Sequence, residues 1–320
     1  MGSESSTIFD KINFPNIFEK IGDARTVGLQ LPDGLKYYVK EISGEFEKRG
    51  LETIISGKAS YGACDLDTEL LKHVDVLVHF GHSRFVDIPN VIYVPYTVNY
   101  EVNPEKIKKH IPERKIAIVG TLTYAWKFKE VKKILENAGF QVELKSGRGV
   151  EFEGQVLGCN YSCLRESKSD AVLFIGDGMF HAIGAGIYSG KKTYAYQPHS
   201  DEVIEVETED FIKKRYILIS KAKMSESFGI LVSSKPGQFR LNLAKRLKRE
   251  ANRRGFKVEI IVADEITPEI VENFRFDCYV NTACPRIAYD DTRRFSRPII
   301  TPQEFEIAMG LRDEYVFDFI

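Results

Sequence analysis

Short runs of apolar, often β-branched residues alternate along this chain with longer segments of helical periodicity. Three of these runs, each followed by a polar or glycine-containing loop, are residues 26–30, 116–119 and 230–232. A helical pattern follows each loop and stops at Gly50, Gly139 or Gly255, and glycine readily takes the left-handed backbone that ends a helix. The pattern therefore predicts a strand, a loop and a helix in succession, repeated three times along the chain.

The rest of each repeat is predicted to contain three more strands. The second strands are predicted at residues 52–55, 141–144 and 257–262, and the fourth at 91–95, 193–196 and 298–302. The third strand of each repeat is predicted within residues 75–82, 170–177 and 277–284. These three stretches align, because each begins with an aspartate and continues as an apolar run. Strands that are apolar nearly throughout are typical of parallel sheets covered by helices on both faces.

The repeat predicts an α/β protein of three related Rossmann-like units with parallel sheets around a central site. We place unit one at residues 1–112, unit two at 113–216 and unit three at 217–320. Ligands of open parallel sheets bind beyond the carboxyl ends of the strands. The loops that follow the strands are therefore where candidate functional residues are expected.

Composition narrows the class of protein. The 45 Lys and Arg residues balance 46 Asp and Glu residues, which argues against a protein that binds a nucleic-acid backbone. Five cysteines, an odd number in 320 residues, do not indicate a secreted disulfide framework, so a reducing, cytoplasmic location is expected.

No targeting or membrane segment is predicted. The chain starts without a basic segment followed by an apolar one, and Gly2 with Ser6 fits only a loose myristoylation pattern. Residues 171–190 carry Asp177 as their one formal charge, but they contain five glycines. We interpret them as a strand, a loop and the start of a helix, and not as a membrane span.

The cysteines follow the repeat. Cys64 and Cys159 each lie 11 residues before the aligned aspartate of their unit, whereas the same offset in unit three falls on Ile266. Unit three instead has Cys284 at the end of its apolar strand. No CxxC pair is present, which argues against a zinc ribbon or a thioredoxin-type site.

Spacing alone leaves two interpretations open. Three thiolates from distant positions suit an iron–sulfur cluster with one iron left open for a substrate. Alternatively, the cysteines are ordinary buried residues. Cys278 lies inside an apolar strand and is predicted to be a core residue, whereas Cys163, in a CxxxC with Cys159, is an alternative third ligand.

Six short strings along the chain, taken together and in order, resemble the archaeal diphthamide synthase family. They are Gln30-Leu31-Pro32-Asp33-Gly34-Leu35, Ser60-Tyr61-Gly62-Ala63-Cys64-Asp65, Gly81-His82-Ser83, Gly154-Gln155-Val156-Leu157-Gly158-Cys159, Asp177-Gly178-Met179-Phe180-His181 and Asn281-Thr282-Ala283-Cys284-Pro285-Arg286. The strings span all three predicted units, so the resemblance covers essentially the whole chain.

The resemblance implies a non-canonical radical S-adenosylmethionine enzyme in which Cys64, Cys159 and Cys284 hold a [4Fe-4S] cluster. It implies that one-electron reduction cleaves the bond between sulfur and the γ-carbon of S-adenosylmethionine. The 3-amino-3-carboxypropyl group then passes to a histidine of translation elongation factor 2, and methylthioadenosine is released. A homodimer, an electron donor and a protein substrate are implied as partners, with no nucleic acid and no membrane.

Positioning S-adenosylmethionine against the open iron is the main task of such a protein, since the cofactor carries the radical chemistry. No catalytic residue beyond the cluster is predicted. The candidates for binding the methionine carboxylate and amine lie on strand-end loops, and they are Gln30, Asp33, His82, Ser83, Asp177, Gly178, Gln238 and Arg286. Arg286 also suits a surface ion pair. His82 and His181 suit substrate binding or proton transfer, and they equally suit loop histidines without a catalytic role.

Two charged segments and one rival function remain open. Residues 240–254 carry seven basic side chains, and the apolar residues among them have broadly helical spacing. The segment suits either a solvated helix face or a docking surface for the factor. Arg293, Arg294 and Arg297 suit steering of an acidic partner. Quinolinate synthase, a dehydratase similar in its triplicated α/β units and three-cysteine cluster, is the alternative, but the local strings favour diphthamide synthase.

Overall fold

The computed structural model describes residues 12–319, and the Gly2 pattern lies outside them. The strands are β1 (Thr26–Gln30), β2 (Glu52–Ile55), β3 (Val76–Gly81), β4 (Val91–Pro95), β5 (Lys115–Gly120), β6 (Gln141–Glu143), β7 (Ala171–Ile175), β8 (Lys192–Gln197), β9 (Glu202–Glu205), β10 (Ser227–Ser233), β11 (Lys257–Ala263), β12 (Cys278–Asn281) and β13 (Ile299–Ile300).

Helices lie between the strands. They are α1 (Phe14–Ile21), α2 (Asp33–Lys36), α3 (Val39–Glu47), α4 (Thr68–Leu71), α5 (Pro104–His110), α6 (Leu122–Ala125), α7 (Phe128–Asn137), α8 (Phe180–Ser189), α9 (Thr208–Lys223), α10 (Leu241–Asn252), α11 (Pro268–Phe274), α12 (Pro285–Tyr289) and α13 (Pro302–Ala308). Short 3-10 turns cover Ser162–Leu164 and Asp291–Arg294. In the part of the chain described, no helix combines the length and the apolar character needed to cross a membrane.

The strands form three sheets with one repeated order. The sheets are β2-β1-β3-β4, β6-β5-β7-β8-β9 and β11-β10-β12-β13. Every pairing is parallel except that of β9 with β8. This confirms the predicted α/β class and its parallel sheets. The antiparallel strand β9 was not predicted from the sequence.

Aspartates that align in the sequence occupy matching positions in the sheets. The Asp75 carboxylate accepts hydrogen bonds from the backbone N–H groups of Arg25 and Thr26, both at 2.8 Å. The Asp277 carboxylate accepts from those of Glu226 and Ser227 at 3.3 and 3.0 Å. Each aspartate precedes the third strand of its sheet and satisfies donors at the amino end of the first. Their recurrence therefore has a structural cause, because those donors need a partner.

Two compact units divide the chain. Unit 1 consists of the described part of residues 1–99 with residues 149–151 and 235–237, and unit 2 consists of the remaining described residues. Unit 1 holds the first sheet, and its core packs α1 and α3 against β1 and β3 through side chains such as Ile17, Phe46, Leu29 and Val78. The three-unit boundaries stay a prediction, with α9 spanning the boundary after residue 216.

Unit 2 holds the second and third sheets and contains a buried ion pair. The Arg215 guanidinium on α9 donates two hydrogen bonds to the Glu304 carboxylate, at 2.7 and 2.6 Å. It also donates to the carbonyl oxygens of Ala288 and Ile299 at 2.6 and 3.1 Å. Both charged side chains are almost fully buried, with 3% and 0% exposed. These contacts tie α9 to the third sheet.

The repeated strand order gives each sheet a topological switch point, the place where open parallel sheets bind ligands. In the strand order 2-1-3-4, the second strand lies on one side of the first strand and the third strand lies on the other side. The loops that follow the first and third strands therefore lead away from each other. Gln30 ends β1, and His82 directly follows β3. In the other two sheets, Asp177 closely follows β7, and Cys284 follows β12. Predicted site residues therefore lie at the switch points of all three sheets.

Candidate metal centre and substrate site

Burial separates the five cysteines into two groups. Cys163 and Cys278 are 4% and 0% exposed and pack in the cores of the second and third sheets. Burial raises the pKa of the Cys163 thiol to about 12 and that of Cys278 further still. Cys64, Cys159 and Cys284 are partly exposed. Because the thiolate is the form that binds a metal, the exposed group is the better set of ligands.

A glycine from a distant segment lies directly against Cys64 in unit 1. The Gly237 N–H donates a hydrogen bond to the Cys64 carbonyl oxygen at 3.1 Å. A Cβ atom at position 237 would lie 2.4 Å from the Cys64 Cβ and 2.5 Å from its Cα. Only glycine fits this contact without moving the cysteine backbone.

We expect Gly237→Ala to displace the loop that carries Cys64 and to destabilise unit 1 by about 1–3 kcal/mol through overpacking. The measurement is chemical unfolding together with the iron content of anaerobically purified protein. Gly44→Ala is the matched control, because its added Cβ meets nothing within 4 Å, and we expect it to leave the iron content unchanged. Unaltered stability and iron content in Gly237→Ala would contradict the importance of this contact.

A buried ion pair supports the same loop. The Lys235 ammonium lies 2.8 Å from the Asp65 carboxylate, and the exposed fractions of the two side chains are 7% and 5%. The Tyr61 ring lies 5.3 Å from the same ammonium. Removing either charge would leave the other buried without its partner, which would destabilise the folded protein. Lys235 was not predictable as a supporting residue, because nothing in its local sequence pattern distinguishes it from a surface lysine.

Gln30 and His82 belong to a chain of hydrogen bonds at the end of the first sheet. The Gln30 amide nitrogen donates to the Asp65 carbonyl oxygen at 2.7 Å, and its oxygen accepts from the Asp67 N–H at 3.1 Å. The same oxygen lies 2.9 Å from Nδ1 of His79. Nε2 of His79 lies 2.9 Å from Nδ1 of His82. Two predicted residues, Gln30 and His82, are therefore joined through His79, which lies within the predicted strand.

His79 and His82 are both neutral at pH 7. Burial lowers the pKa of His79 to about 3, with a smaller contribution from His82. Burial likewise lowers the pKa of His82 to about 4.

Two further candidates in unit 1 have different surroundings. Ser83 is buried, with 5% exposed. Asp33 lies at the start of α2, where its carboxylate is 68% exposed and pairs with the Lys36 ammonium at 2.8 Å. Asp33 therefore makes a surface ion pair.

The loop that carries Cys284 in unit 2 is held from several sides. The backbone N–H of Cys284 donates to the Gln238 side-chain oxygen at 3.2 Å, and the Cys284 carbonyl oxygen accepts a hydrogen bond from the Asn281 side-chain amide at 2.9 Å. The Arg240 guanidinium donates to the Thr282 carbonyl oxygen at 2.6 Å. The predicted candidate Gln238 thus contacts the backbone of Cys284, and Arg240 and Asn281 are additional positioning residues.

Arg240 is itself fixed by a buried carboxylate. Its guanidinium donates two hydrogen bonds to Asp318, at 2.9 and 2.5 Å, and Asp318 is 0% exposed. This arginine therefore does not belong to the solvated face of the basic segment, of which it is the first residue. The rest of that segment forms α10, which buries Ala244 and Leu247.

The loop before Cys159 is clamped to the end of β5. Gly154 accepts a hydrogen bond from the Gly120 N–H at 3.0 Å, and the Val156 N–H donates to the Gly120 carbonyl at 2.8 Å. Gly154 has φ +74°, and an added Cβ would lie 2.8 Å from the Ile118 carbonyl oxygen. The partly exposed Cys159 lines a cavity of about 360 Å³ together with Arg148 and Arg165.

A second cavity in unit 2, of about 590 Å³, brings three predicted residues together. Asp177, Gly178 and Arg286 line it, and so does His181. The Tyr124 hydroxyl donates a short hydrogen bond to Asp177. Burial lowers the pKa of His181 to about 4, with Arg286 contributing less.

Arg286 makes an ion pair and also lines the cavity of about 590 Å³. Its guanidinium pairs with the Asp290 carboxylate at 2.9 Å, and its side chain is 55% exposed. It also lies over the Phe180 ring, 5.2 Å from the centroid. The surface ion pair considered from the sequence is therefore present, and the role of Arg286 in binding a carboxylate stays a prediction.

The grouping of the three exposed cysteines stays a prediction. Cys64 belongs to unit 1, whereas Cys159 and Cys284 belong to unit 2. Across residues 12–319, no three or more His, Cys, Asp or Glu side chains are arranged to hold a metal ion. The case for these ligands rests on their exposure, their thiol chemistry and their places on strand-end loops.

The sequence of this chain is similar to a family of known proteins. A family model described as putative diphthamide synthesis protein matches residues 31–317. The chain is 38% identical over 313 residues to the 2-(3-amino-3-carboxypropyl)histidine synthase of Pyrococcus horikoshii. The alignment covers 94% of this chain and 90% of that protein. It is 30% identical over 308 residues to subunit 1 of the corresponding synthase of Aspergillus fumigatus, covering 91% and 69%.

The fold is also similar to a solved structure. A crystal structure of Dph2 from Pyrococcus horikoshii with a 4Fe-4S cluster superposes with a TM-score of 0.90 at 36% sequence identity. The match covers 97% of this chain and 94% of that one.

Proposed function

Because this chain belongs to the diphthamide synthesis protein family, we propose that it is a 2-(3-amino-3-carboxypropyl)histidine synthase. It transfers the 3-amino-3-carboxypropyl group of S-adenosylmethionine to a histidine of translation elongation factor 2, the first step of diphthamide biosynthesis. The observation that carries this proposal is the full-length similarity to a protein crystallised with a 4Fe-4S cluster, taken with three partly exposed cysteines on strand-end loops.

The donor set of this chain fits a [4Fe-4S] cluster. Cys64, Cys159 and Cys284 supply the soft thiolate ligands that iron–sulfur clusters require, and each comes from the loops of a different sheet. The remaining two cysteines are buried with raised pKa values and suit core packing instead. Three thiolates leave one iron of the four for the substrate.

When bound, the cluster supplies the one-electron reduction that cleaves the sulfur–γ-carbon bond of S-adenosylmethionine. The protein's own residues bind and orient the substrate, since the bond that breaks is decided by which carbon faces the iron. Arg286 borders the larger cavity of unit 2, and its planar guanidinium suits the methionine carboxylate. Gln238 holds the Cys284 backbone and thereby fixes one ligand relative to this cavity.

The partners follow from this chemistry. A one-electron donor is needed for the cleavage, and a protein substrate supplies the histidine. The balanced charge of the chain agrees with a protein partner and requires no nucleic acid. We also propose a homodimer and a reducing, cytoplasmic compartment, as the resemblance to the archaeal family implies.

The nucleoside product tests this proposal. Reduced protein incubated with S-adenosylmethionine is expected to release methylthioadenosine, and the same protein without a reductant is expected to release none. Chromatography with mass detection separates methylthioadenosine from 5′-deoxyadenosine. Formation of 5′-deoxyadenosine in its place would mean that the other carbon–sulfur bond breaks, and the proposal would be wrong.

A further inference from the structure

The hydrogen bonds around Gln30 have a direction that fixes the protonation of two histidines. The Gln30 oxygen accepts from the Asp67 N–H, and its nitrogen donates to a carbonyl oxygen, so the orientation of the amide is determined. Since His79 Nδ1 faces that oxygen at 2.9 Å, Nδ1 carries the proton and donates it. Nε2 of the neutral His79 is then an acceptor.

The same reasoning extends to the next ring. His79 Nε2 can only accept, and it lies 2.9 Å from His82 Nδ1, so His82 donates from Nδ1. His82 is neutral because burial disfavours its charged form. The other nitrogen of His82, Nε2, therefore keeps its lone pair. The Gln30 amide thus sets which nitrogen of His82 is available as a base.

This available nitrogen lies where chemistry is expected. His82 directly follows β3, and Gln30 ends β1, so the pair flanks the switch point of the first sheet. Gln30 also donates to the carbonyl oxygen of Asp65, the residue after Cys64. The histidine pair is therefore connected to the loop of a proposed cluster ligand by a single side chain.

We propose that His82 Nε2 accepts the proton that the target imidazole loses when it gains the 3-amino-3-carboxypropyl group, with Gln30 and His79 as positioning residues. This inference rests on the proposed function. In the net reaction, the sulfur–γ-carbon bond and one ring C–H bond break, and one C–C bond forms. The sulfur leaves as a neutral thioether, and the ring hydrogen leaves as a proton. The single electron consumed in cleavage returns to the one-electron carrier when the ring regains aromaticity.

A neutral histidine with a weakly basic ring suits this step. The ring proton of the adduct leaves readily because aromaticity is regained, so a strong base is unnecessary. The proton then leaves His82 for water, because His82 is partly exposed, whereas His79 is fully buried and burial disfavours its charged form even more strongly. Because burial disfavours a charged ring at this position, His82 does not retain the proton after the step.

The tautomer can be measured directly. In protein with ¹⁵N-labelled histidine at pH 7, and in the oxidised state, we expect the His82 signals to show a protonated Nδ1 and an unprotonated Nε2. His82→Gln identifies the signals by their loss. Gln30→Leu removes the acceptor for His79 and is expected to abolish the single tautomer of His82. A protonated Nε2 in the unaltered protein, or no change in Gln30→Leu, would overturn the inference.

The rates of histidine modification and of methylthioadenosine release provide a second test. We expect His82→Gln to slow formation of modified histidine by about 100-fold, near the lower end of general-base contributions, while methylthioadenosine release changes by less than about threefold. His73→Gln, an exposed histidine of unit 1 outside the hydrogen-bonded chain, is the matched control and is expected to alter neither rate. Circular dichroism verifies that the variants fold.

The outcomes separate this inference from the proposed function. Equal loss of both rates in His82→Gln, or loss of neither, would overturn the role of His82 as proton acceptor. If the unaltered protein modifies no histidine, the proposed function fails, and the tautomer measurement still decides whether Gln30 and His79 set the state of His82.

Discussion

Alanine at Cys64, Cys159 or Cys284 is expected to abolish group transfer and to lower the iron bound by the purified protein. With three thiolates proposed for the cluster, each variant removes one of only three protein ligands, and no other cysteine is exposed to replace it in the described residues. The measurement is iron and sulfide content after anaerobic purification, together with the visible absorbance of the brown protein and its bleaching on reduction.

The two buried cysteines provide the controls. Cys278→Ala and Cys163→Ala are expected to keep the cluster, because both thiols lie in cores and have raised pKa values. Removing a small buried side chain has a cost in stability alone. Retained iron and activity in all three ligand variants would contradict the assignment, whereas loss of iron in Cys163→Ala would favour Cys163 as the alternative third ligand.

Glu304→Gln is expected to destabilise the protein by about 3–5 kcal/mol, because it leaves the Arg215 guanidinium buried without its counter-charge. Glu304 also accepts hydrogen bonds from the Thr301 N–H at 2.8 Å and the Tyr315 hydroxyl at 3.2 Å. Chemical unfolding followed by circular dichroism measures the loss.

A double variant separates the charge from the packing. Arg215→Met combined with Glu304→Gln removes both charges and is expected to be less destabilised than Glu304→Gln alone. Glu69→Gln is the surface control, since Glu69 and Lys72 are 65% and 63% exposed and an ion pair in contact with solvent contributes little to stability. If the buried and surface variants lost the same stability, the ion pair would not hold α9 to the third sheet.

The strands were largely predictable because the apolar runs coincide with buried strands. The predicted runs at 26–30 and 91–95 match β1 and β4 residue for residue. The antiparallel strand β9 was missed because its sequence, Glu-Val-Ile-Glu, has only two apolar residues. Strand β13 is shorter than the predicted run at 298–302, whose end prolines cannot donate to a sheet.

The site was predictable only where chemistry and repeat spacing coincided. Cys64 and Cys159 share an offset within the repeat, and exposure separates them from Cys163 and Cys278. The supporting residues gave no such signal, because their partners are distant in the chain. Arg240 pairs with a carboxylate 78 residues away, and Lys235 with one 170 residues away.

His79 illustrates a different limit. It lies within an apolar strand and is 0% exposed, so its pattern predicts a core position. Its contact with Gln30 depends on the parallel pairing of β1 with β3, which sets Gln30 beside His79. Only the sheet register reveals that these two residues connect the Cys64 loop to His82.

The central claim is tested most directly by mass spectrometry of the protein substrate. Reduced protein, S-adenosylmethionine and archaeal elongation factor 2 are incubated without oxygen, and the factor is digested and sequenced by fragmentation. We expect a mass gain of one 3-amino-3-carboxypropyl group on a single histidine, with methylthioadenosine as the coproduct. An unmodified factor in the presence of an intact, reducible cluster would contradict the account.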